Sequence, residues 1–426
     1  MAMSETHELT LTTLTYGGDA MGRLVDSRAV FVPFGLPGER VRVRLTEEKR
    51  GFARGELVEV LDASPERIIP RCKHFFSLTP SPLPTGEGQK VRDFCGGCHY
   101  QHMSYEMQLK IKADILRDQL QRIGKIENPP VQPTVASLNT WNYRNHIQFH
   151  LDDDGSLGFQ APASNKVIPI SECHLPEASI DTLWHQLEFE ADSGIKRVSV
   201  RSSTDDGLML ILESDSHETP EIEIEADVSV AHIVEENAVV IAGNDHISIK
   251  VLNREFRVSP NSFFQVNTSM AEKMVKHLLD RLTISQATIL DVYCGVGLFS
   301  AFLAPKCKRL IGIESSPSAC DDFTINLDQF NNVELYEDLA ENVLPALKVE
   351  PNIILVDPPR AGVDKKALDA IVKMNPKIIV YVSCDPSTLA RDAKRLMDSG
   401  YRFLDVTPFD LFPQTYHIES ISFFER

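Results

Sequence analysis

The chain lacks any run of about 18 apolar residues, so no segment is expected to cross a membrane as a helix. No secretory leader is expected either, since Met1-Ala-Met-Ser-Glu-Thr-His-Glu8 has neither a cationic start nor an apolar stretch. A cytoplasmic protein with reduced thiols is expected, and its 8 cysteines then suit metal or catalytic roles better than disulfides. None of the 13 histidines shows metal-ligand spacing. Positive charge is short too, with 43 Lys+Arg against 61 Asp+Glu, a net charge of −18. That balance argues against strong non-specific binding to nucleic acid. The deficit is local, however. Residues 181–240 hold 15 Asp+Glu against 3 Lys+Arg, whereas 61–130 hold 8 against 10. The acidic block reads as a solvated face on a loop. Any RNA bound would be recognised by shape, stacking and base contacts.

What is present is ordered along 426 residues, enough for two to four domains. Residues 7–62 alternate apolar and polar positions, with turns at Gly17-Gly18, Asp26-Ser27 and 35–38. Four strands near 8–15, 29–34, 39–46 and 55–61 suggest a small barrel of oligonucleotide-binding type. Arg40, Arg42, Arg44, Lys49, Arg50 and Arg54 accompany Tyr16, Phe31 and Phe52, a mixture suited to single-stranded RNA. Ser77 to Gln89 is rich in Pro, Gly, Ser and Thr and reads as a disordered surface loop. A helix follows over 104–123, capped by Ser104, with Met107, Ile111, Ile115 and Ile123 near one face. From about 130 to 255 the signals are mixed and mostly β. Residues 268–281 are helical. From 287 onward strands and helices alternate, which predicts a doubly wound α/β sheet. The expected domains are 1–65, 66–255 and 256–426.

Chemistry gathers at the ends of three apolar, β-branched runs. Lys377-Ile-Ile-Val-Tyr-Val-Ser383 ends at Cys384. Asn352-Ile-Ile-Leu-Val356 ends at Asp357-Pro-Pro-Arg360. Ala287-Thr-Ile-Leu-Asp-Val292 ends in a turn containing Gly295 and Gly297. Open α/β sheets bind ligands at such carboxyl ends. Glu314, closing the next run, is placed to accept both ribose hydroxyls of a nucleoside cofactor. Nicotinamide dinucleotide is the rival reading, but position 300 is Ser where its fingerprint needs a third glycine. A cofactor without pyrophosphate, S-adenosylmethionine, fits better. Cys72, Cys95, Cys98 and Cys173 form a C-x-x-C pair with two distant single cysteines. On spacing alone, zinc, an iron–sulfur cluster and chance all stay open.

Several segments together carry a resemblance. They are Ser259-Pro-Asn-Ser-Phe-Phe-Gln-Val-Asn267, Asp291–Ser300, Asp357-Pro-Pro-Arg-Ala-Gly362, Ser383-Cys-Asp-Pro386 with Thr388-Leu389 and Arg391-Asp392, and Phe412-Pro-Gln-Thr-Tyr-His-Ile-Glu-Ser420. In this order they resemble the RNA (uracil-C5)-methyltransferases, and 7–62 is similar to the TRAM domain of that family. The barrel and four cysteines point to the branch acting on 23S ribosomal RNA. The resemblance implies a Rossmann-like methyltransferase sheet and S-adenosylmethionine as methyl donor. It implies Cys384 as nucleophile and Glu419 as the base that removes the C5 proton. Gln265, Tyr293, Gly295, Gly297, Glu314 and Asp357 would face the cofactor. So would Leu298, although relatives commonly carry Asn there. Arg360, Arg144 and Phe264, or its neighbour Phe263, would face the flipped RNA base or its phosphates. Cys72, Cys95, Cys98 and Cys173 would hold a [4Fe–4S] cluster, despite the 22 residues between Cys72 and Cys95. A monomer with no protein partner is expected. A transfer-RNA enzyme, a non-catalytic ribosome-assembly factor and a cytosine-C5 methyltransferase are the competing readings. The last typically has Pro before the nucleophile, where this chain has Ser383.

Overall fold

The computed structural model describes residues 6–76, 93–205, 207–223 and 227–426. The loop expected over 77–89 lies outside the described residues. Strands β1 (Thr6–Leu14), β2 (Ala20–Arg23), β3 (Ala29–Val32), β4 (Arg40–Glu48) and β5 (Phe52–Asp62) close into a barrel in the order β1-β2-β3-β5-β4. Alternation dictates its interior: Leu9, Leu11, Val30, Val32, Val41 and Val43 are buried, and the residues between them face outward. The basic cluster expected there is largely spent on neighbouring acids. Arg40 pairs with Glu8 and Asp62, Arg42 with Glu8 and Glu59, Arg44 with Glu56, and Arg54 with Asp19 and Glu47. The barrel face is therefore near charge balance rather than a basic patch. Exposed pairs are each worth only about 0–1 kcal/mol, so exchange for an RNA phosphate costs little.

Helix α1 (Tyr105–Arg122) starts where Ser104 Oγ accepts a hydrogen bond from the Met107 amide. Its Ile111 and Ile115 pack with the barrel core, while Leu116 and Leu120 pack under the C-terminal sheet. Ile123, expected on its apolar face, is exposed. The central sheet is built from β6 (His146–Leu151), β7 (Leu157–Gln160), β8 (Val167–Pro169), β9 (Ile195–Ser202), β10 (Leu208–Ser214), β11 (Val228–Val234) and β12 (Asn237–Ala242). They run in the order β12-β11-β10-β9-β6-β7-β8, with α2 (Ala178–Trp184) between β8 and β9. The expectation of an acidic loop over 181–240 is thus corrected, because that stretch contains β9, β10 and β11. Val198, Val200, Leu210, Leu212 and Val230 alternate into the core, and acidic residues occupy the connections and outward positions.

A hairpin, β13 (Ile247–Val251) and β14 (Arg254–Val258), follows. It shares its core with Met270, Met274 and Leu278 of α3 (Thr268–Arg281) and with Met209 and Ile211 of β10, so it joins the C-terminal part to the central sheet. Burying each such side chain contributes about 1.5–3 kcal/mol. The last sheet comprises β15 (Thr288–Val292), β16 (Arg309–Glu314), β17 (Val333–Glu337), β18 (Ile353–Val356), β19 (Ile378–Ser383), β20 (Arg402–Phe409) and β21 (Glu419–Glu425). Interleaved helices are α4 (Leu298–Leu303), α5 (Pro317–Asn326), α6 (Ala340–Ala346), α7 (Lys365–Met374) and α8 (Pro386–Asp398). The order is β17-β16-β15-β18-β19-β21-β20, with β21 antiparallel to both neighbours. The order reverses at β15, the kind of switch point at which doubly wound sheets leave a crevice between strand ends. No helix among the described residues is long and apolar enough to cross a membrane.

Candidate active site

The turn after β15 carries three residues with left-handed backbone within five positions: Tyr293 (φ 65°), Gly295 (φ 52°) and Gly297 (φ 89°). A Cβ on Gly297 would come within 2.4 Å of Leu327, so glycine is needed there for packing as well as for φ. A Cβ on Gly295 would meet nothing within 4 Å, so this side of the turn stays open. The Gly295 amide donates to Glu314 Oε2 (2.9 Å), and the amides of Ser315 and Ser316 donate to Oε1 (2.7 and 2.9 Å). These bonds hold the Glu314 carboxylate at the crevice rim.

Two further acids lie close by. Asp291 Oδ2 accepts from Ser300 Oγ (2.6 Å), and its buried Oδ1 has no partner among the described residues. Burial, with the Glu314 charge adding, pushes Asp291 up to about 7. Burial and the charges of Asp291 and Glu314 push Asp357 up to about 7 as well. A crevice whose carboxylates repel one another favours a cationic guest. Gln265 is buried, and its carbonyl accepts from Asn145 Nδ2 (3.1 Å). Leu298 is a buried apolar residue at the start of α4. Tyr293 packs its ring partly against the apolar cluster under the sheet.

Cys384 and Glu419 meet through strand register. Ser383 pairs with Ser420 across β19 and β21, which leaves Cys384 and Glu419 opposed just beyond. Burial raises the Cys384 thiol to about 12. The charges of Glu419, Asp357 and Asp385 add to that shift, and Arg360 opposes it. Burial and Asp357 likewise raise Glu419 well above the ordinary carboxylic range, against the pull of Arg360 and Lys112. Cys384, Glu419, Asp357 and Arg360 therefore sense one another directly, while Arg360 itself reaches solvent.

The neighbouring motifs serve to hold these groups in place. Asp392 is buried and accepts from Tyr381 Oη (2.9 Å), the Val363 amide (3.1 Å) and Arg391 Nε. It ties α8 to the Asp357–Gly362 turn. Asp322 accepts from the Ser259 amide and hydroxyl (both 2.7 Å), Ser262 Oγ (2.6 Å) and Arg257 Nε (3.0 Å), and so fixes the segment leading to Gln265. In that segment Phe264 packs in the core against Phe256, whereas Phe263 is 69% exposed. Of the two phenylalanines expected to face the base, Phe263 is therefore the exposed one and Phe264 a core residue.

The segment before Glu419 is anchored by α1. Lys112 forms a buried ion pair with Asp410 and donates to the Phe412 carbonyl (3.0 Å). Gln108 and Gln414 exchange two hydrogen bonds of 3.0 Å. The amides of His99 and Tyr100 donate to the Gln414 carbonyl (2.8 and 3.0 Å). Sequence reading missed Lys112 and Asp322. A Lys flanked by Ile111 and Ala113 on a buried helix was the available signal for the first.

Cys72, Cys95, Cys98 and Cys173 line one cavity of about 320 Å³, together with Arg144 and His417. All four are free thiols. Burial above all pushes Cys95, Cys98 and Cys173 up to about 12. Among the described residues no group of three or more His, Cys, Asp or Glu side chains is placed to hold a metal ion. Arg144 stacks its guanidinium over Phe412 (5.6 Å), with its Nε unpartnered among the described residues. It sits beside this cavity rather than on the outer surface.

Residues 239–426 match the tRNA (Uracil-5-)-methyltransferase family, and residues 4–58 match the TRAM domain. An RNA methyltransferase of Halalkalibacterium halodurans, itself uncharacterized, is 34% identical over 98% of this chain and 96% of its own. Another from Caldanaerobacter subterraneus is 33% identical over 100% and 99%. The chain belongs to the RNA (uracil-C5)-methyltransferase family. The crystal structure of Pyrococcus abyssi tRNA (uracil-54, C5)-methyltransferase with S-adenosyl-L-homocysteine shares its fold. The TM-score is 0.73 at 23% identity, over 98% of this chain and 99% of that one. The closed barrel and the doubly wound sheet are those expected from the sequence.

Proposed function

We propose that the protein transfers a methyl group from S-adenosylmethionine to C5 of a uridine in 23S ribosomal RNA, through a covalent adduct on Cys384. The opposition of Cys384 and Glu419 at the ends of β19 and β21 carries this reading. The cofactor supplies a methyl group made electrophilic by its sulfonium. Glu314 is placed to accept ribose hydroxyls at the crevice rim, and the orphaned Asp291 Oδ1 and the raised acids fit a cationic donor. Cys384 would lose its proton to solvent and bond to C6 of uracil, the C5–C6 ring pair moving to an enolate on O4. C5 of that enolate would take the methyl group, the C–S pair staying on the donor sulfur so that neutral S-adenosylhomocysteine leaves. Glu419 then removes the C5 proton, the S–C6 bond breaks, and 5-methyluridine leaves. Arg360 offsets the negative charge that Cys384, Glu419 and Asp357 concentrate there. Exposed Phe263 is placed to stack on a flipped base.

A transfer-RNA substrate is the second reading, supported by the description of the matching family and by the P. abyssi enzyme. Incubation with methyl-labelled S-adenosylmethionine and unmodified 23S RNA or transfer RNA separates the two. Label as 5-methyluridine in 23S RNA is expected. Label in transfer RNA alone would select the second reading, and label in neither would refute both.

The cysteine cavity is proposed as the seat of a [4Fe–4S] cluster. Four free, soft thiols around one enclosed space suit a cluster several ångströms across, which needs ligands spread around it rather than converging on a point. Its role would be structural, since the Cys95–Tyr100 segment braces the loop leading to Glu419. Anaerobically purified protein is expected to be brown, with about four irons per chain, and Cys72→Ser is expected to lose them. Stoichiometric zinc, or no metal at all, would overturn the assignment. Iron retained in Cys72→Ser would remove that one ligand.

A further inference from the structure

The tip of the β1–β2 hairpin leaves the barrel and reaches the end of β19. Tyr16 Oη donates to Asp385 Oδ2 (3.0 Å), and Asp385 directly follows Cys384. The other oxygen, Oδ1, caps α8 by accepting from the amides of Ser387 (2.8 Å) and Thr388 (3.0 Å). Asp385 is therefore held from the helix on one side and from the barrel on the other. The Tyr16 ring also meets Tyr416 edge-on, with centroids 5.8 Å apart and planes at 89°. Tyr416 lies three residues before Glu419. One barrel side chain thus touches both segments that carry the opposed pair.

The hairpin is shaped for this approach. Its tip closes through Thr15 N to the Asp19 carbonyl (2.9 Å) and Gly18 N to the Thr15 carbonyl (3.1 Å). Gly17 and Gly18 take φ of 106° and 97°, where a side chain would be strained. A Cβ at Gly18 would already lie 3.5 Å from His99 and 3.7 Å from Tyr416. Tyr16 keeps its proton, because burial and the Asp385 charge raise its pKa. Burial opposes ionisation of Asp385, yet the bonds from Ser387, Thr388 and Tyr16 outweigh it and hold its carboxyl below the usual value. The charged groups facing this locus are Arg360 toward Tyr16, and Glu419, Asp357, Arg360 and Asp385 toward Cys384.

We infer that Tyr16 is a positioning residue for methyl transfer: by clamping Asp385 it fixes the Cys384 loop against the Glu419 strand. The barrel is then a structural part of the active site as well as an RNA-facing module. This inference rests on the reading of Cys384 as the nucleophile.

The test is Tyr16→Phe in the full chain, which keeps the ring and removes the donor. At saturating RNA the single-turnover rate is expected to fall roughly 10- to 100-fold, the scale of one hydrogen bond to a charged group. RNA affinity and melting temperature should stay at wild-type values. In an Asp385→Asn background the added Tyr16→Phe should cost nothing further, because the clamp is already altered. Iodoacetamide should alkylate Cys384 faster in Tyr16→Phe, read by peptide mass spectrometry, as the released loop exposes the thiol. An unchanged rate, a loss confined to RNA affinity, or independent effects in the double variant would overturn the proposal. Alkylation reports on the loop whether or not Cys384 attacks uracil. Activity in Cys384→Ala would therefore refute the nucleophile alone, and unchanged alkylation would refute the clamp alone.

Discussion

Cys384→Ala is expected to abolish methyl transfer while S-adenosylmethionine binds as in the wild type. C5 of uracil is too weak a nucleophile to take a methyl group unaided, so losing the thiol removes a bond-forming step rather than a binding contact. The site proposed for the cofactor lies at β15, where Glu314 is held by the amides of Gly295, Ser315 and Ser316, none of which involves Cys384. Removing the thiol also leaves α8 intact, because Asp385 caps it through its own side chain. Single-turnover kinetics should show no 5-methyluridine, and calorimetry should show unchanged cofactor affinity. Methylation at a rate near the wild type would defeat the assignment. Affinity lost in parallel would mean that the substitution disturbed the crevice, and a circular dichroism melt would reveal that.

The C-terminal sheet was legible because parallel strands buried on both faces read as continuous apolar runs. The run 309–314 matches β16 residue for residue, and the helix expected over 268–281 matches α3. The same logic placed Cys384, Asp357 and the glycine turn at strand ends. It failed where a strand is short, and where a side chain's partner is distant in sequence. β2 was missed because Ala20-Met-Gly-Arg23 is short and contains a glycine. Gly22 is there because a Cβ would strike Leu9 at 2.5 Å, a packing need that the local pattern does not show. The barrel arginines read as a basic patch because Glu8, Glu56 and Glu59 come alongside only when the strands pair. On α1, Gln108 and Lys112 look like surface residues, yet they are buried against Gln414 and Asp410 some 300 positions away. Buried polar groups need partners, and a local pattern does not say where those partners come from. The Tyr16–Asp385 bond spans 369 positions and was invisible for the same reason.

The order of chemical steps is read most directly from Glu419→Gln. The substitution keeps the size and removes the base. Glu419 is buried where β21 begins, opposite Cys384, and burial and Asp357 raise its affinity for a proton against the pull of Arg360 and Lys112. A carboxylate in such a place binds a proton more strongly than one in water, which suits it to take the C5 proton once the ring is methylated. Attack by Cys384 and methyl transfer precede that step, so neither needs Glu419 as base. The variant should therefore form the Cys384–RNA adduct, accept one methyl group and stall. A denaturing gel should show a protein–RNA band that survives heating in detergent and carries labelled methyl. Multiple turnover would assign the proton to another acceptor, with Asp357, raised to about 7, a carboxylate candidate. An unlabelled adduct would place Glu419 in methyl transfer. No adduct from a folded variant would place it in the attack itself, where its charge bears on the Cys384 thiol.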